Sequence, residues 1–171
     1  PYVVERFADI EVLRYEVPEF DRLSLQQKKM LYYLSQAAQA GRDIIWDQNC
    51  RYNLQLRKLL ENIYTGYTGD KNSADWKAFD RYMKQVWFGN GIHHHYSNDK
   101  FTPGFSQAWF EARVAELPQD KLPLDPGQSP ADMKALMTKV VFDPAFMAKK
   151  VNQDGTQDTV SYTHLTLPTN S

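Results

Sequence analysis

Ser73-Ala74-Asp75-Trp76-Lys77-Ala78-Phe79-Asp80-Arg81-Tyr82-Met83-Lys84-Gln85-Val86-Trp87 is the stretch that decides the fold class. Trp76, Phe79, Met83, Val86 and Trp87 recur at helical spacing, which puts large apolar side chains on one face of an α-helix. Ser73 offers a hydroxyl to the unpaired amides of the first turn, and Asp75 complements the positive end of the helix dipole. So bulky a stripe predicts a protein core or a domain interface rather than a cofactor site, and left bare it would call for a packing partner.

The same local grammar repeats on both sides. Ser24-Leu25-Gln26-Gln27 is a capping box, and Met30, Leu31, Leu34, Ala37 and Ala38 form the stripe of the helix it starts, with Gly41 read as a left-handed stop. Ile44, Ile45, Leu54, Leu56, Leu59, Leu60 and Ile63, interrupted by Asp47-Gln48-Asn49, predict two helical pieces or one bent helix, closed by Gly66 and the Gly69-Asp70 turn. Phe7, Ile10, Leu13 and Val17 also fall at helical spacing, but Pro18 pushes Val17 out of the α region, so a short helix or an extended arm is expected there.

Downstream, Phe105-Ser106 resembles a staple and cap for a short helix carrying Trp109, Phe110 and Val114. The proline-rich run over residues 117–130 predicts a surface connector. Ser129-Pro130-Ala131-Asp132 then opens a helix with Met133, Leu136, Met137, Val140 and Val141, ended by Asp143-Pro144. The expected fold class is therefore mainly α.

Composition narrows the function classes. The chain of 171 residues has 20 Lys plus Arg against 21 Asp plus Glu, a net charge of −1 that gives no footprint for nucleic acid. Cys50 is the single cysteine, which excludes an internal disulfide framework and a thiolate zinc cluster. No apolar run approaches the roughly 18 residues of a membrane span. Residue 1 is Pro1 rather than Met, so an incomplete N-terminus is expected, and the sequence assigns no compartment. At the other end, Val160-Ser161-Tyr162-Thr163-His164-Leu165-Thr166-Leu167-Pro168-Thr169 has no amphipathic logic and reads as translated adapter from a short-read sequencing library. Residues 1–159 are taken as native and 160–171 as a foreign tail.

Chemistry-bearing residues concentrate at one place. Phe88-Gly89-Asn90-Gly91-Ile92 breaks the central helix and leads into His93-His94-His95-Tyr96. Gly89 and Gly91 allow close backbone approach to a ligand, while Asn90, His93, His94, His95 and Tyr96 offer donors and acceptors suited to a peptide main chain. In an extended segment His93 and His95 would face one side, supplying two nitrogens of a metal site that still lacks its other ligands. Motifs of the H-E-x-x-H, G-x-S-x-G, G-x-x-x-x-G-K-S/T and G-x-G-x-x-G types are absent from the sequence. No catalytic residue and no metal ligand is assigned.

Several stretches in order carry a resemblance: Phe7-Ala8-Asp9-Ile10-Glu11-Val12-Leu13-Arg14-Tyr15-Glu16-Val17-Pro18, Tyr32-Tyr33-Leu34-Ser35-Gln36-Ala37-Ala38, Gly41-Arg42-Asp43-Ile44, Val86-Trp87-Phe88-Gly89-Asn90-Gly91-Ile92-His93-His94-His95-Tyr96, Asp99-Lys100-Phe101-Thr102-Pro103-Gly104-Phe105 and Val141-Phe142-Asp143-Pro144 with Lys150-Val151-Asn152-Gln153. Together they resemble the N-terminal part of dipeptidyl peptidase III of the Bacteroides type. The resemblance implies a two-lobed α/β zinc exopeptidase that releases dipeptides from the N-termini of short peptides. In that family zinc is held by the two histidines of an H-E-x-x-G-H motif and a later glutamate. None of these has a counterpart here, so the resemblance implies that this chain is part of the zinc-free lobe, inactive without the zinc lobe of the parent. It also implies that the segment from Gly89 to Tyr96 borders the peptide cleft. The alternative is a stand-alone helical binding module whose histidine loop contacts a peptide, a sugar or a metal.

Overall fold

The computed structural model describes residues 2–150. The adapter-like tail and the segment from Val151 to Gln153 lie outside the described residues. Among the described residues the fold is mainly helical, with a two-stranded antiparallel hairpin, β1 (Tyr2–Phe7) and β2 (Ile10–Arg14), followed by α1 (Leu25–Ala40), α2 (Arg42–Asn49), α3 (Asn53–Gly66), α4 (Ala74–Gly89), α5 (Gln107–Glu116) and α6 (Pro130–Phe142).

Of the two expectations for residues 7–17, a short helix or an extended arm, the hairpin realises the extended one. Phe7 pairs with Ile10 across the Ala8-Asp9 turn, where Ala8 takes a φ of 48°, and the ladder runs back to Tyr2 opposite Arg14. Ile10-Glu11-Val12-Leu13 has enough two-residue alternation and β-branching to satisfy a strand, and only Ile10 of the pair is buried. Its apolar residues fit both periods, and pairing with Tyr2-Val3-Val4 selects the strand. Lys84 anchors the hairpin to α4, contacting Glu5 at 2.5 Å and Asp80 at 3.0 Å.

The helix starts are as expected from local sequence. The Ser24 hydroxyl accepts from the Gln27 amide while the Gln27 side chain accepts from the Ser24 amide, completing the capping box. Ser73, Ser106 and Ser129 accept from the amides of Trp76, Trp109 and Asp132 in the same way. Two helical pieces, α2 and α3, replace the alternative of one bent helix. The C-terminus of α1 departs from expectation. Gly41 stays right-handed at φ −81°, because α2 begins at the next residue and the chain bends instead of stopping.

The core is built from α2 to α6. Phe79, Met83 and Val86 of α4 are fully buried and Trp76 nearly so, joined by Leu56, Leu59 and Leu60 of α3, Phe110 of α5, and Met133 and Met137 of α6. Burial of each such side chain is worth about 1.5–3 kcal/mol. Aromatic rings link the layers: Tyr67 stacks on Trp76 at 4.2 Å, and Phe105 stands edge-on to Phe79 at 5.4 Å. Trp87, at the end of the stripe, is half-buried and donates from Nε1 to Glu61 at 2.9 Å. The 117–130 connector is tied down more than its proline content suggests. Gln55 donates to the Pro123 carbonyl at 2.7 Å, Asn62 donates to the Lys121 carbonyl at 2.6 Å, and Leu122 and Leu124 pack on the core.

α1 stands apart. None of its residues is buried, and its stripe of Met30, Leu31 and Leu34 faces solvent alongside Ile44 and Ile45 of α2. Its amphipathic pattern is real, but nothing among the described residues covers it.

Candidate functional site

The end of α4 is fixed by one buried side chain. Asn90 takes the left-handed conformation at φ 50° and caps the helix. Gly91 follows at φ 147°, a backbone setting that side chains rarely adopt. Asn53, 1% exposed at the start of α3, holds this bend. Its Nδ2 donates to the carbonyls of Trp46 (3.1 Å) and Asn90 (3.4 Å), and its Oδ1 accepts from the Ile92 amide (3.3 Å). Asn49 at the end of α2 adds a bond to the Asn90 carbonyl at 3.3 Å.

The segment is extended only at His93 and turns from His95 to Ser97, so it does not place His93 and His95 on one side as equivalent ligands. His93 is 4% exposed and pairs with Lys100 in a short bridge. Its Nε2 lies 2.7 Å from the Met147 carbonyl, which can only accept, so Nε2 carries the proton and Nδ1 is left buried without a partner among the described residues. Burial holds its pKa below the usual imidazole range against the Met147 bond, which favours the charged form, and the charges of Lys149 and Lys100 act with burial.

His94 is organised oppositely. Its Nδ1 accepts from the amides of Tyr96 (3.2 Å) and Ser97 (3.0 Å), so its proton sits on Nε2, 3.1 Å from Asp9 in the hairpin turn. His95 is exposed, with its ring edge-on to Phe88 and 4.4 Å from the His94 ring. Tyr96 is 80% exposed, contributing its amide to His94 and leaving its phenol in solvent.

Gly89, Asn90, Gly91, His93, His94 and His95 come together around a pocket of about 180 Å³. Tyr96 does not line it. Asn49, Asn98 and Lys149 complete the wall. Asn49 belongs to the polar interruption between the first helices, so a signal for it existed. Asn98, left-handed at φ 60°, is brought in by its own loop, its amide bonded to the His94 carbonyl, while Lys149 reaches the site only through the tertiary fold. No carboxylate lines the pocket among the described residues, and its side chains are three amides, imidazoles and one ammonium. Nearby cations are already engaged: Lys100 donates to the carbonyls of Asp143 (2.6 Å) and Phe146 (2.7 Å), and Lys150 pairs with Asp99 at 2.6 Å.

Two other depressions differ in having carboxylates as well as cations in their walls. One of about 590 Å³ between β1 and α4 contains the Lys84–Glu5 and Lys84–Asp80 pairs, and one of about 320 Å³ between α3 and α5 contains Arg113 paired with Glu116 at 2.6 Å. Among the described residues no three of His, Cys, Asp and Glu stand close enough together to hold a metal ion. His93 and His94 also have three of their four ring nitrogens committed to protein partners. These residues do not fit a zinc centre.

Among known proteins, no family model matches the chain and no curated protein matches it with significance. No helix among the described residues is long and apolar enough to cross a membrane.

Proposed function

We propose that this chain is the front part of the zinc-free lobe of a dipeptidyl peptidase III-type exopeptidase, and that the pocket beside residues 89–95 forms part of the wall of its peptide cleft. The observation that carries this reading is the coincidence of two things in one segment. The stretch from Val86 to Tyr96, the longest with the family resemblance after the hairpin, also ends in the bend where Gly91 brings backbone and amide side chains around an open pocket. Amides and imidazoles that both donate and accept are suited to a peptide main chain. In this reading the zinc, the water-activating glutamate and the cutting machinery belong to another lobe of the parent chain. The 171-residue chain binds peptide but does not cleave it.

Extending the coding sequence at its genomic locus tests the assignment directly: an in-frame continuation past Gly155 should reach an H-E-x-x-G-H segment, and a complete reading frame without one overturns it. Release of dipeptide from a dipeptidyl-naphthylamide by the purified chain with added zinc would overturn the claim of inactivity.

A stand-alone helical binding module is the second reading. The observation in its favour is that the core of α2 to α6 is closed around its own aromatic residues. The same locus decides between the two.

A further inference from the structure

We infer that the pocket beside residues 89–95 takes a carboxylate of its peptide ligand, with Lys149 as the counter-charge and the C-terminal carboxylate as the group bound. This rests on the peptide-binding reading and specifies which end of the peptide sits there. The first support is the charge of the wall. Among the described residues Lys149 is the only formally charged side chain lining the pocket, and no carboxylate offsets it there. A peptide's N-terminal ammonium would meet Lys149 with no anion to hold it, whereas a carboxylate gains a charge-assisted hydrogen bond.

The second support is the supply of neutral donors. Asn98 and Asn90 bring side-chain amides to the wall, and the exposed His95 adds a ring nitrogen. These can bond the second carboxylate oxygen and the adjoining peptide unit. The third is size. A pocket of about 180 Å³ has the space of about six waters, which suits a carboxylate with one flanking peptide unit better than a long bound strand. Asp9, the acidic group nearest the histidines, is turned to His94 Nε2, and Asp99 is turned to Lys150. Neither lines the pocket.

Calorimetric titration of the 171-residue chain with Ala-Ala-Phe-Leu, as the free acid and as the C-terminal amide, tests this. Amidation should weaken binding to the unaltered chain about tenfold and should change binding to Lys149→Gln by less than about twofold. A Lys134→Gln control on α6 should keep the full discrimination. Equal affinity of acid and amide for the unaltered chain overturns the carboxylate assignment while leaving peptide binding intact. Undiminished discrimination in Lys149→Gln overturns the role of Lys149. Absence of binding by both peptides overturns the peptide reading itself and this inference with it. Lys149 is exposed, so the variant should keep the circular dichroism of the parent chain.

Discussion

A Cβ placed on Gly91 would stand 2.1 Å from Nδ2 of Asn53, the side chain that also holds the carbonyl of Asn90 and the amide of Ile92. The bend that opens the candidate site and the buried amide that fixes it are therefore one unit. Gly91→Ala should destabilise the chain by about 2–4 kcal/mol, since φ 147° is strained for alanine and Asn53 must move. Asn53→Ala should cost about 1–3 kcal/mol by leaving buried backbone groups unpaired. In urea denaturation the double variant should cost less than the sum, because removing the amide clears the space the new methyl needs. Additive costs would show that the two residues are not coupled.

His93 gives the fold a pH dependence. Its folded-state pKa lies below the ordinary imidazole value of about 6.5, so the unfolded chain binds the proton more readily. At pH above 6.5 both states are neutral and the penalty is absent. As pH falls through 6.5 towards the folded value, stability is lost. The urea midpoint should fall between pH 8 and pH 5, with a shallower slope in His93→Gln. Asp99, whose pKa is lowered by Lys150 and Ser97, acts in a more acidic window and leaves this comparison undisturbed.

Tyr82 is 1% exposed and its hydroxyl has no partner among the described residues, and burial pushes its pKa far up. Tyr82→Phe should stabilise the chain by about 1 kcal/mol by removing a buried, unbonded polar group. A lower thermal midpoint in the phenylalanine variant would mean that the hydroxyl does have a partner.

Two apolar helix residues should behave in opposite ways. Phe79→Ala removes a fully buried ring from the centre of the core and should cost about 3–5 kcal/mol. Leu34→Ala on α1, where the side chain is 57% exposed, should stay within about 0.5 kcal/mol in the same denaturation experiment. A large cost for Leu34→Ala would show that its face is covered in solution.

The sequence by itself determined the helical class and most of the element starts. Ser24, Ser73, Ser106 and Ser129 act on amides three residues ahead, and the α4 stripe recurs within four, so both can be read in a short window. The glycine bend and the histidine run were legible as a candidate site for the same reason. The tertiary structure decided the rest. Residues 7–17 carry apolar positions compatible with both periods, and pairing with Tyr2–Phe7 made Ile10–Arg14 a strand. The α1 stripe satisfies the pattern of a buried face yet stays open, because periodicity specifies which side chains align and not whether another element arrives to cover them. His93 bonds a carbonyl 54 positions away, and Asn49 reaches Asn90 across 41. Such contacts depend on how whole helices pack, so no local pattern could have joined Asn49 and Lys149 to the glycine bend, or turned His93 inward while leaving His95 in solvent.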